Sequence, residues 1–364
     1  MRKVRGRRGL ANKARALVLR AASLLFSHRD WWSGYRVTPE LLVQGDVGLA
    51  MSVLYRPFEE MDFGKPYAAP PASGYFAKLI EDLDAVEAEV QGQDPGTIRL
   101  ARNLQELDDA AAAGATAIVH CVEGGFHLGD ERDEVKGNVA ELADRGVAYI
   151  TLAHLFFRQV GTNSPALPFL SDRAYRRLFP QPRGEGLTER GLAALDAMVE
   201  HRVMVDVSHM HPDSLKEAFA RLDEIDPQRD VPVIATHAGY RFGKLQYMLD
   251  EWTVRKVRER DGVIGLIMAQ HQLNDGIRRR KTKDLEASFE VIRRHVDKIR
   301  EITGSHRHVA LGTDFDGFIK PTMGGLENAG DLSLLQAKLQ EEYGEDAELI
   351  ASANAIRVLR KLWS

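Results

Sequence analysis

The stretch VMVDVSHMHPDSLKEAFARLDEIDPQRDVPVIATHAG, residues 203–239, decides the reading of the fold. Its two ends, Val203–His209 and Val231–His237, are short, nearly continuous apolar runs. Such runs suit parallel strands buried on both faces. Between them, Pro212–Leu222 carries apolar residues at helical spacing, and Pro212 with Asp213 is good helix-start chemistry. The segment therefore predicts a strand–helix–strand unit, in which each strand delivers a histidine at its C-terminal end.

The same alternation extends in both directions. Val47–Tyr55, Thr116–Cys121, Val147–His154, Gly262–Ala269 and His308–Asp314 read as further strands, with a weaker eighth run near Ser23–Ser27. Tyr75–Val90, Asn103–Ala113, Leu187–Arg202 and Leu285–Ile302 read as helices. Pro66–Gly74 and the long Gly161–Gly186 read as loops, and a loop of the second length is usually functional. About eight strand-then-helix units predict an α/β fold of the (β/α)8 TIM-barrel type, with a doubly wound sheet as the alternative. The strand ends favour the barrel. Glu123, His154, His209, His237 and Asp314 all lie at or just past the C-terminal ends of their strands, and a barrel gathers those ends at one mouth.

Composition limits the function classes. The chain has 364 residues, 44% hydrophobic and 28% charged, with a formal net charge of -4. This is enough for one large core, read as a single barrel domain over 1–364 with residues 1–15 as a disordered or helical extension. The charge balance points away from nucleic-acid partners. No apolar run is long enough for a transmembrane helix. The basic start Met1–Arg8 followed by Ala16–Phe26 imitates a secretory signal, but Arg20 interrupts it and no clean cleavage site follows. With Cys121 the single cysteine, a cytoplasmic, reducing location is expected.

One histidine at a strand end is most often a structural residue, and an aspartate before glycine is most often a turn residue, the reading given to Asp206 and Asp316. Five ionisable strand ends on one face are harder to explain by packing, because buried charge is costly unless it is paired or coordinated. Imidazole and carboxylate together suit a zinc-type cation. Glu123, His209 and His237 are the candidate metal ligands, and Gly124 and Gly125 allow close backbone approach behind Glu123. A carboxylate at Asp314 can take the proton of an activated water. His120 and His127 are candidates for supporting the site, while His201, His211, His271, His295, His306 and His308 read as surface or helix-end residues.

In their order, HCVEGG (120–125), YITLAHLFFRQVGTNS (149–164), VDVSHM (205–210), PVIATHAGYR (232–241) and LGTDFDG (311–317) resemble the membrane (renal-type) dipeptidases, peptidase family M19, from about Leu41 to Ser364. VTPELLVQGDVGLAMSVLY (37–55) also resembles that family's second-strand region. The resemblance implies a (β/α)8 barrel that uses two zinc ions and hydrolyses dipeptides, often with a D-residue at the C-terminal position, through a metal-bound hydroxide. It implies Glu123 as bridging metal carboxylate, His209 and His237 as ligands of the second metal, and His154 as substrate-binding histidine. Asp314 would be the catalytic aspartate, and Glu123 belongs to the catalytic centre as well. The partner would be a small peptide, and a homodimer would fit the family.

The first metal is implied to bind a His-x-Asp pair on the first strand. Two registers are open. His28-Arg29-Asp30 supplies the pair in one, making His28 and Asp30 metal ligands. In the other, Arg20 and Ala22 stand there and that metal has no dedicated site, leaving one zinc ion. The family's arginine for the substrate carboxylate has no clean match in KLQYMLDEW (244–252), so Arg241, with Lys244 nearby, is the substitute candidate. The alternative to a two-zinc dipeptidase is a degenerate member with one or no metal, acting on another amide or only binding. An unrelated amidohydrolase-type barrel is disfavoured because no strand-end lysine suited to bridging two metals is present.

Overall fold

The computed structural model describes residues 34–56, 60, 69, 74–319 and 321–364, and the backbone of 29–30. Its frame is a parallel sheet laid down in chain order. The strands are β3 (Leu49–Leu54), β4 (Ile98–Leu100), β5 (Thr116–Glu123), β6 (Tyr149–Thr151), β7 (Met204–Asp206), β8 (Val233–Ala238), β9 (Ile264–Leu266) and β10 (Val309–Leu311), and they follow a short ribbon of β1 (Arg29–Asp30) and β2 (Gly34–Tyr35). Neighbours run β3-β5-β6-β7-β8-β9-β10, all parallel. Helices fall between successive strands, so the wall is that of a (β/α)8 barrel.

Seven strands match the expected runs, most of them trimmed at their ends, with β5 extended to Glu123 and β8 to Ala238. Their side chains are apolar on both faces because one face packs inside the wall and the other meets the helices. Val119, Val122, Ile150, Val205, Val233 and Ile264 are fully buried. The expected helices are present at Tyr75–Gln91, Leu104–Ala112, Glu189–Glu200, Pro212–Ile225 and Leu285–Thr303. Side-chain caps fix their starts, with Asn103 accepting from the Glu106 amide, Thr188 from Gly191 and Asp284 from Ala287.

Three features depart from expectation. The run Ile98–Leu100 forms an extra strand, β4, on the start of β5 (Thr116–Ile118), while β6 takes the end of the same edge. The segment Gly161–Gly186 is not all loop, since Asp172–Leu178 is a helix capped by Ser171. Thirdly, β1 pairs with β2 in an antiparallel ribbon separate from the parallel sheet. The eighth run near Ser23–Ser27, the signal-like start, residues 1–15 and most of Pro66–Gly74 lie outside the described residues. Among the described residues no helix is long and apolar enough to cross a membrane.

Candidate functional site

Glu123 ends β5, and the chain turns sharply behind it. Gly124 adopts a φ of 100°, open to glycine but strained for other residues. Its amide donates to Thr151 O and that of Gly125 to Leu152 O, at 2.8 and 2.9 Å, which ties the turn to the end of β6. The His127 ring locks the same turn, with Nδ1 2.8 Å from Gly124 O and Nε2 accepting from the Arg56 amide. His154 follows β6, His209 follows β7, His237 lies on β8 and Asp314 follows β10. His209 and Asp314 hold φ values of 66° and 54°, left-handed backbone that costs a non-glycine residue energy and is found where surrounding structure enforces it.

The strand ends converge. His209 Nε2 and His237 Nε2 stand 2.9 Å apart. Glu123 Oε1 is 3.2 Å from His237 Nε2 and 3.7 Å from His209 Nε2, while Oε2 is 3.4 Å from His154 Nε2. All four residues are buried. The donor atoms of Glu123, His154 and His209 also lie within 4.8 Å of one another. Two overlapping triads are thus available, both sharing Glu123 and His209. The triad completed by His237 is the tighter one. Tetrahedral zinc with bonds of ~2.0–2.1 Å needs donor atoms about 3.3 Å apart, which its three edges bracket. His209 Nδ1 has no hydrogen-bond partner among the described residues.

His154 is engaged differently. Its Nδ1 is 2.8 Å from Oε2 of Glu60, a fully buried carboxylate that also accepts from the Tyr55 hydroxyl at 2.6 Å and the Phe156 amide at 2.9 Å. The ring thus sits between two carboxylates, with the Tyr55 ring edge-on at 4.6 Å. Sequence reading passed over Glu60 because it lies six residues beyond the strand end at Leu54. It also passed over Asp206, which is no turn residue: it is fully buried and accepts four hydrogen bonds.

Electrostatics follow from this packing. Burial works to neutralise Glu123, but the charges of His154, His237 and His209 overcome it and hold the carboxyl far below its usual range. For His237 burial opposes charge, yet Glu123 and Asp314 push the imidazole up to about 9. His154 is raised as well: burial disfavours its charge, and Glu123 and Glu60 outweigh that. His209 goes the other way, driven well down by burial and then by the neighbouring His154 and His237, which leaves a neutral ring able to ligate. Asp314 is pushed up to about 7, chiefly by burial, with Glu123 adding to it against His237 and His154.

Against this geometry, the family model described as "Membrane dipeptidase (Peptidase family M19)" matches residues 42–363. The chain belongs to peptidase family M19. It is therefore an enzyme of the metallo-dipeptidase class. Among curated proteins it is 28% identical to an uncharacterised dipeptidase of Schizosaccharomyces pombe over 227 residues, 59% of this chain and 46% of that one. It is 23% identical to dipeptidase verJ of Clonostachys rogersoniana over 331 residues, 88% of this chain and 74% of that one. Two solved structures share the fold, each at 20% identity and a TM-score of 0.68. One is dipeptidase AC, an M19 metallopeptidase, with 95% of each chain covered. The other is a metallopeptidase of Rhodobacter sphaeroides liganded with a phosphinate mimic of L-Ala-D-Ala, with 90% of each chain covered.

The remaining sequence candidates fall outside the cluster or outside view. His28 lies outside the described residues, and Asp30 lies in the antiparallel ribbon. Arg241 is occupied with its own loop: Nε donates to Met248 O at 2.7 Å and Nη2 to Gln246 O at 2.9 Å, with Asp250 3.8 Å from Nη1. His120 is buried with Nε2 facing Glu87 at 3.7 Å, on the helix side of the wall. His295, His306 and His308, expected at the surface or at helix ends, are buried.

Proposed function

We propose that this M19 protein is a zinc-dependent dipeptidase that cleaves short peptides at the barrel mouth. The observation that carries this reading is the triangle of His209 Nε2, His237 Nε2 and Glu123 Oε1, with edges of 2.9, 3.2 and 3.7 Å. Without a cation, one proton must sit between two imidazole nitrogens beside a carboxylate; a cation satisfies all three donors at once. Glu123, His209 and His237 would hold zinc, and Oε2 of Glu123, which faces His154 Nε2 at 3.4 Å, would serve a second ion by exchanging that contact for it. Bound there, zinc supplies Lewis-acid polarisation of a carbonyl and acidifies a water molecule.

The chain's own residues supply the rest. Asp314, its carboxyl raised to about 7, can take up and return a proton near neutral pH, first from water and then to the leaving amine. His154, clamped between Glu60 and Glu123, whose charges raise its imidazole against the effect of burial, can donate a hydrogen bond to the carbonyl oxygen as negative charge develops on it. The buried walls around these groups exclude competing water and strengthen each contact. For substrate, the L-Ala-D-Ala mimic in the R. sphaeroides neighbour recommends L,D-dipeptides.

A second reading, with one zinc ion, is favoured by the ribbon. Asp30 sits on a two-residue antiparallel strand rather than a strand of the parallel sheet, whereas the family's pair lies on the first barrel strand. Elemental analysis of zinc per chain, run beside hydrolysis of a dipeptide panel containing L,D-peptides, tests both. Two zincs with turnover support the first reading and one zinc with turnover the second. No zinc and no turnover on any peptide overturns both.

A further inference from the structure

We propose that Asp206 and Thr236 are positioning residues that act through His237, holding its ring in the one tautomer that can ligate; the inference rests on the zinc reading above. Asp206 is buried at the end of β7 with 0% of its surface exposed. Its Oδ1 accepts from the amides of Ser208 and Thr236, both at 3.0 Å. Its Oδ2 accepts from the hydroxyls of Thr151 at 2.6 Å and Thr236 at 2.7 Å. The Thr236 hydroxyl also contacts His237 Nδ1, at 2.7 Å, and more distantly Ser208 Oγ, at 3.3 Å, which has a proton of its own to give.

Proton counting settles the direction of this chain. A threonine hydroxyl has one proton to give, and a carboxylate can only accept. If the hydroxyl donated to His237, its oxygen would face Oδ2 of Asp206 acceptor to acceptor at 2.7 Å. The proton therefore goes to Asp206, and the hydroxyl oxygen accepts from Nδ1–H of His237. With Nδ1 carrying the proton, the lone pair of the neutral ring is on Nε2, the atom 3.2 Å from Glu123 and 2.9 Å from His209. Asp206 does more than set a tautomer. Thr151 lies on β6, Asp206 on β7 and Thr236 on β8, so one carboxylate joins the three strands that deliver His154, His209 and His237. Outer-shell partners of this kind orient a ligating ring and raise its basicity, and their loss typically weakens metal binding 10–100-fold.

The alternative is that the same bonds serve only to hold the sheet together, and the test separates the two. Zinc is titrated into metal-free wild type, Thr236→Val, Thr236→Ser and Asp206→Asn in competition with a chromogenic chelator, and the melting temperature of each metal-free protein is recorded. Thr236→Val keeps the shape but deletes the hydroxyl, and should weaken zinc binding about 10–100-fold with little change in metal-free melting. Thr236→Ser, which restores the hydroxyl, should restore affinity. Wild-type zinc affinity in Thr236→Val overturns the proposal, as does a loss of melting temperature with no loss of affinity. Should the variants misfold, 15N chemical shifts of the His237 ring in the zinc-loaded wild type decide instead: a protonated Nδ1 is expected, and a protonated Nε2 overturns the proposal. If wild type itself takes up no zinc, it is the zinc reading that fails.

Discussion

His237 and His295 are both buried histidines, yet they sit in opposite kinds of surroundings. At the mouth, His237 turns Nε2 to His209 and Glu123, groups that compete for one proton. Inside the helix Leu285–Thr303, His295 accepts from the Tyr240 amide at Nδ1 and donates to Leu273 O from Nε2, each at 3.0 Å. Every need of the second ring is met by backbone, and burial drives it down to about 4. Burial alone thus does not distinguish a working histidine from a structural one. The partners do: complementary backbone groups close a ring off, and a cluster of like donors leaves it open to a ligand.

Substitutions should separate the two regions along that line. The largest effect is expected from Glu123→Gln, which leaves His209 and His237 without their shared carboxylate. Turnover should fall by on the order of 10³-fold with loss of zinc by elemental analysis. Full activity in this variant would remove Glu123 from the ligand set. Next, His295→Leu should reverse the pattern. Two backbone groups lose their partner, costing about 2–4 kcal/mol in denaturant unfolding at unchanged zinc content. Zinc loss without destabilisation would erase the contrast between the regions.

Acid gives a milder version of the same break. The His295 ring is held at about 4 against 6.5 for an ordinary histidine, so the unfolded chain binds its proton first. The contribution is fully present above pH 6.5 and is lost as pH falls towards 4, about 3 kcal/mol in all. Unfolding free energies measured from pH 7 to 4 should show this slope in wild type and a flatter one in His295→Gln; parallel slopes would assign the acid sensitivity elsewhere. Smallest is His211→Ala, at the rim. Its Nδ1 caps the helix Pro212–Ile225 by accepting from the Asp213 amide, and its loss should cost about 0.5–1 kcal/mol with no change in turnover.

How much of this was legible in the sequence depended on whether the signal was local. The apolar runs and the ionisable residue ending each one are local patterns, so the wall and the cluster Glu123, His154, His209, His237 and Asp314 could be read directly. Asp206 could not. An aspartate two residues before a serine looks like a turn residue until β6 and β8 bring Thr151 and Thr236 against it, 55 and 30 positions away in the chain. Glu60 was hidden for the same reason, since its partner His154 lies 94 residues on. β4 escaped because Ile98–Leu100 is three residues long with an arginine at its centre, which supports neither a buried run nor an alternation.

The left-handed backbone of His209 and Asp314 bears on any attempt to make this enzyme hardier. Among the described residues, seven that are not glycine have positive φ: Asp46, Gln159, Arg202, His209, Arg229, Asp261 and Asp314. A stabilisation campaign that replaces such residues with glycine would treat all seven alike, since each promises relief of about 1 kcal/mol or more of strain. Five of the seven lie outside the cluster at the mouth. At His209 and Asp314 the gain in heat tolerance would come with loss of the reactive side chain, so backbone angles alone would lead an engineer to two positions that should be left alone.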